Sequence, residues 1–326
     1  MNTGPGAESA VLIAVTGGSG FIGRALCSAL AESGTPVRAV TRPGASAVEP
    51  GIERAEIPDL LDGAALRRAF QGASAVVHLA GRAHRMREDA KDALGEFRRV
   101  NVDGSKAVVE AAAAVGVRRC LVASSVKAVG DANTTPWTEL TTPAPIDPYG
   151  VSKLEAERAA LEAGAQGGVE TVVMRFPLVY GPGAPANVRR LLRLVDRGLP
   201  LPLGRIRNRR SMLHTGNLVS AVRTLLDARH VGGEVFFLAD GVDLSTPDLV
   251  RTIARALNRP ARLWPVPVSM LHLGGVLMGR SVEIARLVGS LSVSVEKLER
   301  FTGWRAPFTP SRGWGATAAW YRQAFA

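Results

Sequence analysis

The octapeptide TGGSGFIG, residues Thr16–Gly23, decides how the rest of the chain is read. It follows the apolar run SAVLIAV and opens a stretch with apolar residues at three- and four-residue spacing, FIGRALCSALAESG. Glycines 17, 20 and 23 therefore lie at a strand-to-helix turn. There they permit a tight turn, close approach of backbone to a pyrophosphate, and close packing of helix on strand, with phosphate at the helix N-terminus. That context predicts dinucleotide binding rather than a plain turn.

Outward from this point, short apolar runs alternate with helical patterns. Ser9–Gly17, Thr35–Thr41, Ala73–Gly81, Arg118–Ser125 and Val169–Phe176 are expected to be strands. Helical spacing fills the intervals, in GAALRRAFQG, in EFRRVNVDGSKAVVEAAAAVG and after Tyr149. The alternation predicts an α/β fold: a doubly wound parallel sheet with helices on both faces. After Phe176 the pattern loosens and prolines become frequent. Residues 1–176 with 212–240, the latter containing a late strand in Glu234–Asp240, are expected to form the dinucleotide domain. Residues 177–211 with 241–326 are expected to form a smaller C-terminal substrate lobe.

Composition narrows the function classes. The chain has 326 residues, 46% of them hydrophobic, and a net charge of +11 carried mainly by arginine, since only five lysines occur. Basic runs interleaved with aromatics are missing and aromatics make up 5%, which argues against nucleic acid. Two cysteines, Cys27 and Cys120, have no partner-like spacing, and the expectation is a reduced, cytoplasmic protein. The N-terminal segment has no basic n-region, and its apolar run is too short for a signal peptide or membrane span. Five scattered histidines show no ligand spacing, so no metal site is expected. The apolar stretch Val266–Gly279 is read as a core helix in preference to a membrane-contact surface.

The motifs occur in a recognisable order. Gly17-x-x-Gly20-x-x-Gly23, HLAG at His78–Gly81, Asn101, the pair Ser124–Ser125 and Tyr149-x-x-x-Lys153 together resemble the extended short-chain dehydrogenases/reductases. More narrowly, they resemble the NAD-dependent epimerase/dehydratase branch, which acts on nucleotide sugars and includes UDP-glucose 4-epimerase. RFPLVYGPG and RRSMLH resemble that branch's substrate-lobe motifs. The resemblance implies catalysis by Ser125, Tyr149 and Lys153. Ser125 would hydrogen-bond the reacting hydroxyl and Tyr149 would move its proton. Lys153, one helical turn on, would tune the phenol and hold the cofactor ribose. It further implies cofactor contacts by Phe21, Ile22, Leu79, Ala80, Gly81, Asn101, Ser124 and Pro177 beside the three glycines. Asp59 and Leu60 match its adenine contact, Arg210 its arginine for the nucleotide diphosphate and Asn187 a sugar-nucleotide contact, and two copies are expected to pair as a homodimer.

Cofactor choice stays open between NAD and NADP. The second strand ends in Thr41 and Arg42 where an acid for the ribose hydroxyls is usual. Arg42 would pair with a 2′-phosphate, or stack near adenine in an NAD enzyme. Two departures from the family put the sugar in question: Val129 stands at a usual tyrosine, with Lys127 nearby, and GRSVEI replaces an Arg-Pro-Gly-Asp-like stretch. The expected function is a nucleotide-sugar 4-epimerase working through a 4-keto intermediate. A 4-keto-reductase and, from another class, a non-catalytic NAD(P)-binding regulator are the alternatives.

Overall fold

The computed structural model describes residues 11–46, 48–82 and 92–325. Among the described residues nine strands are formed: β1 Ile13–Thr16, β2 Val37–Thr41, β3 Glu53–Glu56, β4 Ala75–His78, β5 Arg119–Ser125, β6 Glu170–Phe176, β7 Leu178–Tyr180, β8 Met212–His214 and β9 Val235–Phe237. Seven belong to one sheet, in the order β3-β2-β1-β4-β5-β6-β9, and β7 pairs with β8 separately. β1 lies parallel to both neighbours, with Ile13 opposite Val37 on one side and Ala75 on the other. Every residue of β1 and β4 is buried, as parallel strands covered on both faces must be. This is the doubly wound order expected from the alternation.

Contacts divide the chain into two compact units. The first comprises residues 1–123, 155–173 and 230–234, and the second residues 124–154, 174–229 and 235–326. In the first, Leu66, Phe70, Val76, Val108, Val122 and Ala160 join one apolar core. Cys27 and Cys120 are buried there as free thiols, and burial pushes each up to about 12. Helix Gly63–Phe70 starts where the Asp62 carboxylate accepts from the Ala65 amide at 2.9 Å, a side-chain cap of the usual kind.

β3 lacks an apolar run, and periodicity therefore offers no strand there. It is an edge strand whose exposed Glu53 and Glu56 pair with Arg38 (2.8 Å) and Arg54 (2.7 Å). The single helix expected over EFRRVNVDGSKAVVEAAAAVG is instead a helix at Ala93–Phe97, a π-helical turn at Arg98–Asp103 and a helix at Gly104–Ala114. The wider turn carries a buried Asn101, and turns of this type recur at functional sites.

In the second unit, the Asp240 carboxylate accepts from the His214 amide (2.7 Å), from Asn217 Nδ2 (2.7 Å) and from the Tyr180 hydroxyl (2.8 Å). Trp314 stacks on Tyr180 with ring centroids 4.4 Å apart. Burial is compensated by hydrogen bonds, which ties β7 to β8 and to the C-terminal helix Pro310–Phe325. The core helix expected in Val266–Gly279 is corrected here. Helix Val268–Leu277 forms, but Gly275 is its single buried residue. Apolar length alone does not determine what covers a helix.

Gly17 and Gly23 show why the opening motif needs glycine. Gly17 has φ +71, and a β-carbon on it would stand 2.9 Å from the Ala80 nitrogen. On Gly23 a β-carbon would lie 2.1 Å from the Gly17 carbonyl oxygen, which is backbone and has nowhere to go. Gly23→Ala should therefore lower stability by about 1–3 kcal/mol, the usual range for overpacking. Urea unfolding measures this, and an unchanged midpoint would mean that the turn relaxes freely.

Candidate active site and dinucleotide groove

The first unit contains a groove of about 670 Å³ at the carboxyl ends of its strands. Of the expected cofactor residues, Gly17, Gly20, Arg42, Asp59, Leu60, Leu79, Ala80 and Gly81 line it. Phe21, Ile22 and Gly23 begin the first helix beside it and are not among its lining. A glycine-rich turn and a helix N-terminus in this groove fit a dinucleotide pyrophosphate. Asn101 acts one step back: its Oδ1 accepts from the Arg82 amide (2.9 Å) and its Nδ2 donates to the Arg82 carbonyl (3.3 Å). It thereby fixes the backbone that follows Gly81. His78 has a structural place, hydrogen-bonded to Thr16 Oγ1 at 2.7 Å and Ser105 Oγ at 3.2 Å.

At the end of β2, Thr41 is buried and accepts from Arg54 Nε at 3.2 Å, while Arg42 is exposed along the groove. Asp59 accepts from the Leu61 amide (3.1 Å) and pairs with the Arg99 guanidinium. The Leu61 hydrogen bond, followed by Arg99, holds the Asp59 carboxyl below the usual carboxylate range. Arg82 and Arg99 also line the groove, and the sequence reading named neither. Their signal was slight: Arg99 reaches the groove from the π-helical turn, which apolar spacing does not announce.

The second unit holds Ser124, Ser125, Tyr149 and Lys153. β5 ends at Ser125, whose Oγ accepts from the Lys127 amide at 3.2 Å and caps the short helix Val126–Ala128. Helix Pro148–Gly167 carries Tyr149 and, four residues on, a buried Lys153. Asp147 caps it through Oδ1, which accepts from the Gly150 amide at 2.7 Å. Gly150 leaves no room for a side chain, because a β-carbon would stand 2.4 Å from the Lys127 carbonyl oxygen. That close approach brings Ser125 and Tyr149 together, and the two side chains are hydrogen-bonded. Burial pushes the Tyr149 phenol above its ordinary value; the Asp147 charge adds to the effect and the Ser125 hydrogen bond opposes it.

Lys127 joins this cluster. Its ammonium donates to Asp147 Oδ2 at 3.1 Å and pairs with Asp131, and Arg286 Nη2 lies 3.5 Å from the same Asp147 oxygen. Burial pulls the Lys127 ammonium below its ordinary value, against the pull of Asp147. Val129 is apolar core, clustered with Trp137, Phe237 and Leu291.

Among the expected substrate residues, Arg210 is partly buried and fixed, with Nη1 donating to the carbonyls of Arg286 (2.6 Å) and Gly289 (3.1 Å). Burial lowers its pKa. Asn187 lies exposed in the first turn of helix Ala186–Asp196, with Oδ1 accepting from the Val188 amide at 2.9 Å. Among the described residues no hydrogen bond joins it to Arg210. The same helix lines a second cavity of about 410 Å³ with Arg189, Arg190, Arg193, Leu194 and Arg197, which the sequence reading did not single out. Pro177 is buried between β6 and β7.

Comparison with known proteins gives the family. A family model described as the NAD dependent epimerase/dehydratase family matches residues 13–239. The UDP-glucose 4-epimerase of Vibrio cholerae is 34% identical over 316 residues, covering 96% of each chain. The 2-alkyl-3-oxoalkanoate reductase of Stenotrophomonas maltophilia is 31% identical over 85% of each chain. Among solved structures, MoeE5 in complex with UDP-glucuronic acid and NAD superposes with a TM-score of 0.75 at 28% identity, covering 96% of this chain and 99% of that one. With this match and the doubly wound sheet around a glycine-rich turn, the chain belongs to the NAD-dependent epimerase/dehydratase family of enzymes.

Proposed function

We propose that the protein is an NAD(P)-dependent nucleotide-sugar 4-epimerase acting through a 4-keto intermediate. The observation that carries this reading is the hydrogen-bonded Ser125–Tyr149 pair, with Lys153 one turn along the same helix, in a chain 34% identical to a UDP-glucose 4-epimerase. Gly17, Gly20, Asp59, Leu60, Leu79, Ala80 and Gly81 would hold the dinucleotide, which would supply hydride chemistry at C4. Ser125 holds the C4 oxygen by a hydrogen bond, and Tyr149 takes its proton or returns it. Lys153 stabilises the phenolate that develops, since a neighbouring cation favours the charged form. In this reading residues 1–176 and 212–240 serve the cofactor, residues 177–211 and 241–326 the substrate, and the enzyme works as a homodimer.

A second reading, reduction of an existing 4-ketone with NADPH, draws on two observations. Burial favours the proton-donor form of Tyr149, which is the form a reductase needs. Thr41 ends β2 and Arg42 follows it, with no acid at either position, so a 2′-phosphate meets no repulsion there and Arg42 is available to pair with it. A purely regulatory NAD(P)-binding role gives Ser125, Tyr149 and Lys153 nothing to do.

Incubation of the purified chain with UDP-glucose or UDP-galactose, followed by NMR of the sugar anomeric region, distinguishes the activities. Interconversion supports the epimerase, whereas NADPH consumption with a 4-keto-sugar and no interconversion supports the reductase. Tyr149→Phe should keep its fold and lose about 10²–10⁴-fold in turnover. In the reductive direction the wild-type rate should hold through neutral pH and fall only as pH rises past the ordinary phenol range, because the donor form is the protonated one. Comparable turnover in Tyr149→Phe overturns the assignment.

Arg210→Ala tests the substrate side. Hydrogen bonds to charged groups are worth about 1.5–3 kcal/mol, so UDP binding should weaken by roughly tenfold or more while dinucleotide binding stays as it was. Calorimetric titration of both ligands reads the two separately. Unchanged UDP affinity in a folded variant leaves Arg210 with only its contacts to the Arg286 and Gly289 carbonyls.

A further inference from the structure

The helices Val268–Leu277 and Ser281–Val288 pack against each other. They close on each other at Gly275, where a β-carbon would stand 2.8 Å from Ile284 Cγ1. Their other faces are open. Met270 and Leu273 are each 61% exposed, Val276 64%, Leu277 79%, Met278 65% and Val282 61%, and Trp264 just ahead of them is 60% exposed. The first helix is apolar almost all the way round. Such a helix is ordinarily buried in a core or a bilayer, yet no helix among the described residues is long and apolar enough to cross a membrane. So large a run of exposed apolar side chains marks a surface that meets something.

Charge indicates what it meets. The segment RIRNRR runs beside the pair: the Asn208 Nδ2 donates to the carbonyls of Leu287 and Gly289 at 3.1 Å each, and the Arg209 amide donates to Ser290 Oγ at 3.0 Å. Along it Arg205 and Arg207 are exposed on either side of buried Ile206. Arg262 precedes the pair and Arg280 lies in its turn, both exposed. Among the described residues none of these four arginines makes an ion pair, and Glu283 is the sole acid between Arg259 and Val288. Exposed apolar helices rimmed by unpaired arginines and an interfacial tryptophan suit the boundary of an anionic bilayer.

We infer that the helix pair Val268–Val288, with the arginines of residues 205–207, 262 and 280, is a peripheral docking surface for anionic lipid membranes. The apolar side chains enter the headgroup boundary, and the arginines engage lipid phosphates. The surface is joined to the catalytic cluster, because Arg286 of the second helix faces the Asp147 that caps the Tyr149 helix. A membrane-held substrate would thus be met by the same unit that carries the proton relay.

Flotation of the full-length protein tests this with two kinds of vesicle: phosphatidylglycerol mixed with phosphatidylethanolamine, and phosphatidylcholine alone. Wild type should float with the anionic vesicles and much less with phosphatidylcholine. Leu273→Glu combined with Val276→Glu should lose at least tenfold in partitioning while keeping its thermal unfolding and NAD affinity, since both side chains are exposed. Arg205→Gln combined with Arg207→Gln, which leaves the helices untouched, should lose roughly fivefold per arginine, and added salt should reproduce that loss. A wild type that stays unbound with both vesicle types overturns the proposal. So does a wild-type oligomer that fails to float and that the Leu273→Glu, Val276→Glu variant dissociates, which would give the surface to a second copy of the chain.

Discussion

At Gly23 the first helix comes so near the preceding turn that a β-carbon would stand 2.1 Å from the Gly17 carbonyl oxygen. The groove of the first unit depends on that approach. It sets the helix N-terminus against the carboxyl end of β1, and it lets Gly17, in turn, pass the backbone of Ala80. Other groove residues are positioned by hydrogen bonds as well as by the apolar contact of Ile57 and Leu60 with the core. Asn101 holds the backbone at Arg82, and Arg99 holds Asp59. The π-helical turn serves this arrangement by placing an amide side chain inside and a guanidinium at the groove from within one short segment.

The second unit uses the same device with different chemistry. Close passage of Gly150 under the Lys127 carbonyl brings the end of β5 to the start of the tyrosine helix. Asp147 then has three duties: it caps that helix, neutralises Lys127 and Arg286, and adds negative potential near the Tyr149 phenol. Two cations around one carboxylate are tolerable because Lys127 also pairs with Asp131, and removing Asp147 would take away the charge that Lys127 and Arg286 share. Where many members of such a family are expected to carry a tyrosine, this chain has Val129 in its apolar core. The polar groups beside the candidate proton relay include a lysine and a carboxylate, Lys127 and Asp147.

Local pattern carried much of this into view. Glycine spacing between an apolar run and a helical pattern, and a lysine four places after a tyrosine, are short-range signals, and they announced the doubly wound sheet and the candidate proton relay. Features that depend on distant partners did not show. β3 is a strand because its backbone pairs with β2, where Arg38 stands opposite Glu53 and binds it, and no apolar run marks it. Arg99 reaches the groove only because the helix widens before it. Lys127 was visible as an oddity, but its partner Asp147 lies 20 residues on, and Asp147 in turn meets Arg286 from a distant helix. The apolar stretch near the C-terminus was misjudged as core for a related reason: hydropathy measures what a segment prefers, and only the fold shows whether anything is there to satisfy it.

Cys27 and Cys120 draw out one more property of the first unit. Both thiols are free, buried and pushed up to about 12 by their surroundings, so at neutral pH almost none is thiolate. The thiolate is the reactive species, which makes both sulfurs silent to alkylating reagents while the core is closed. Each becomes an ordinary thiol once its segment opens. Cys27 sits on the helix that begins at the glycine turn, and Cys120 on a central strand. The chain therefore carries two native reporters of breathing motion, one on the nucleotide side of the unit and one in its interior. The rate at which each is alkylated, with and without dinucleotide, measures how far ligand binding in the groove rigidifies the sheet behind it.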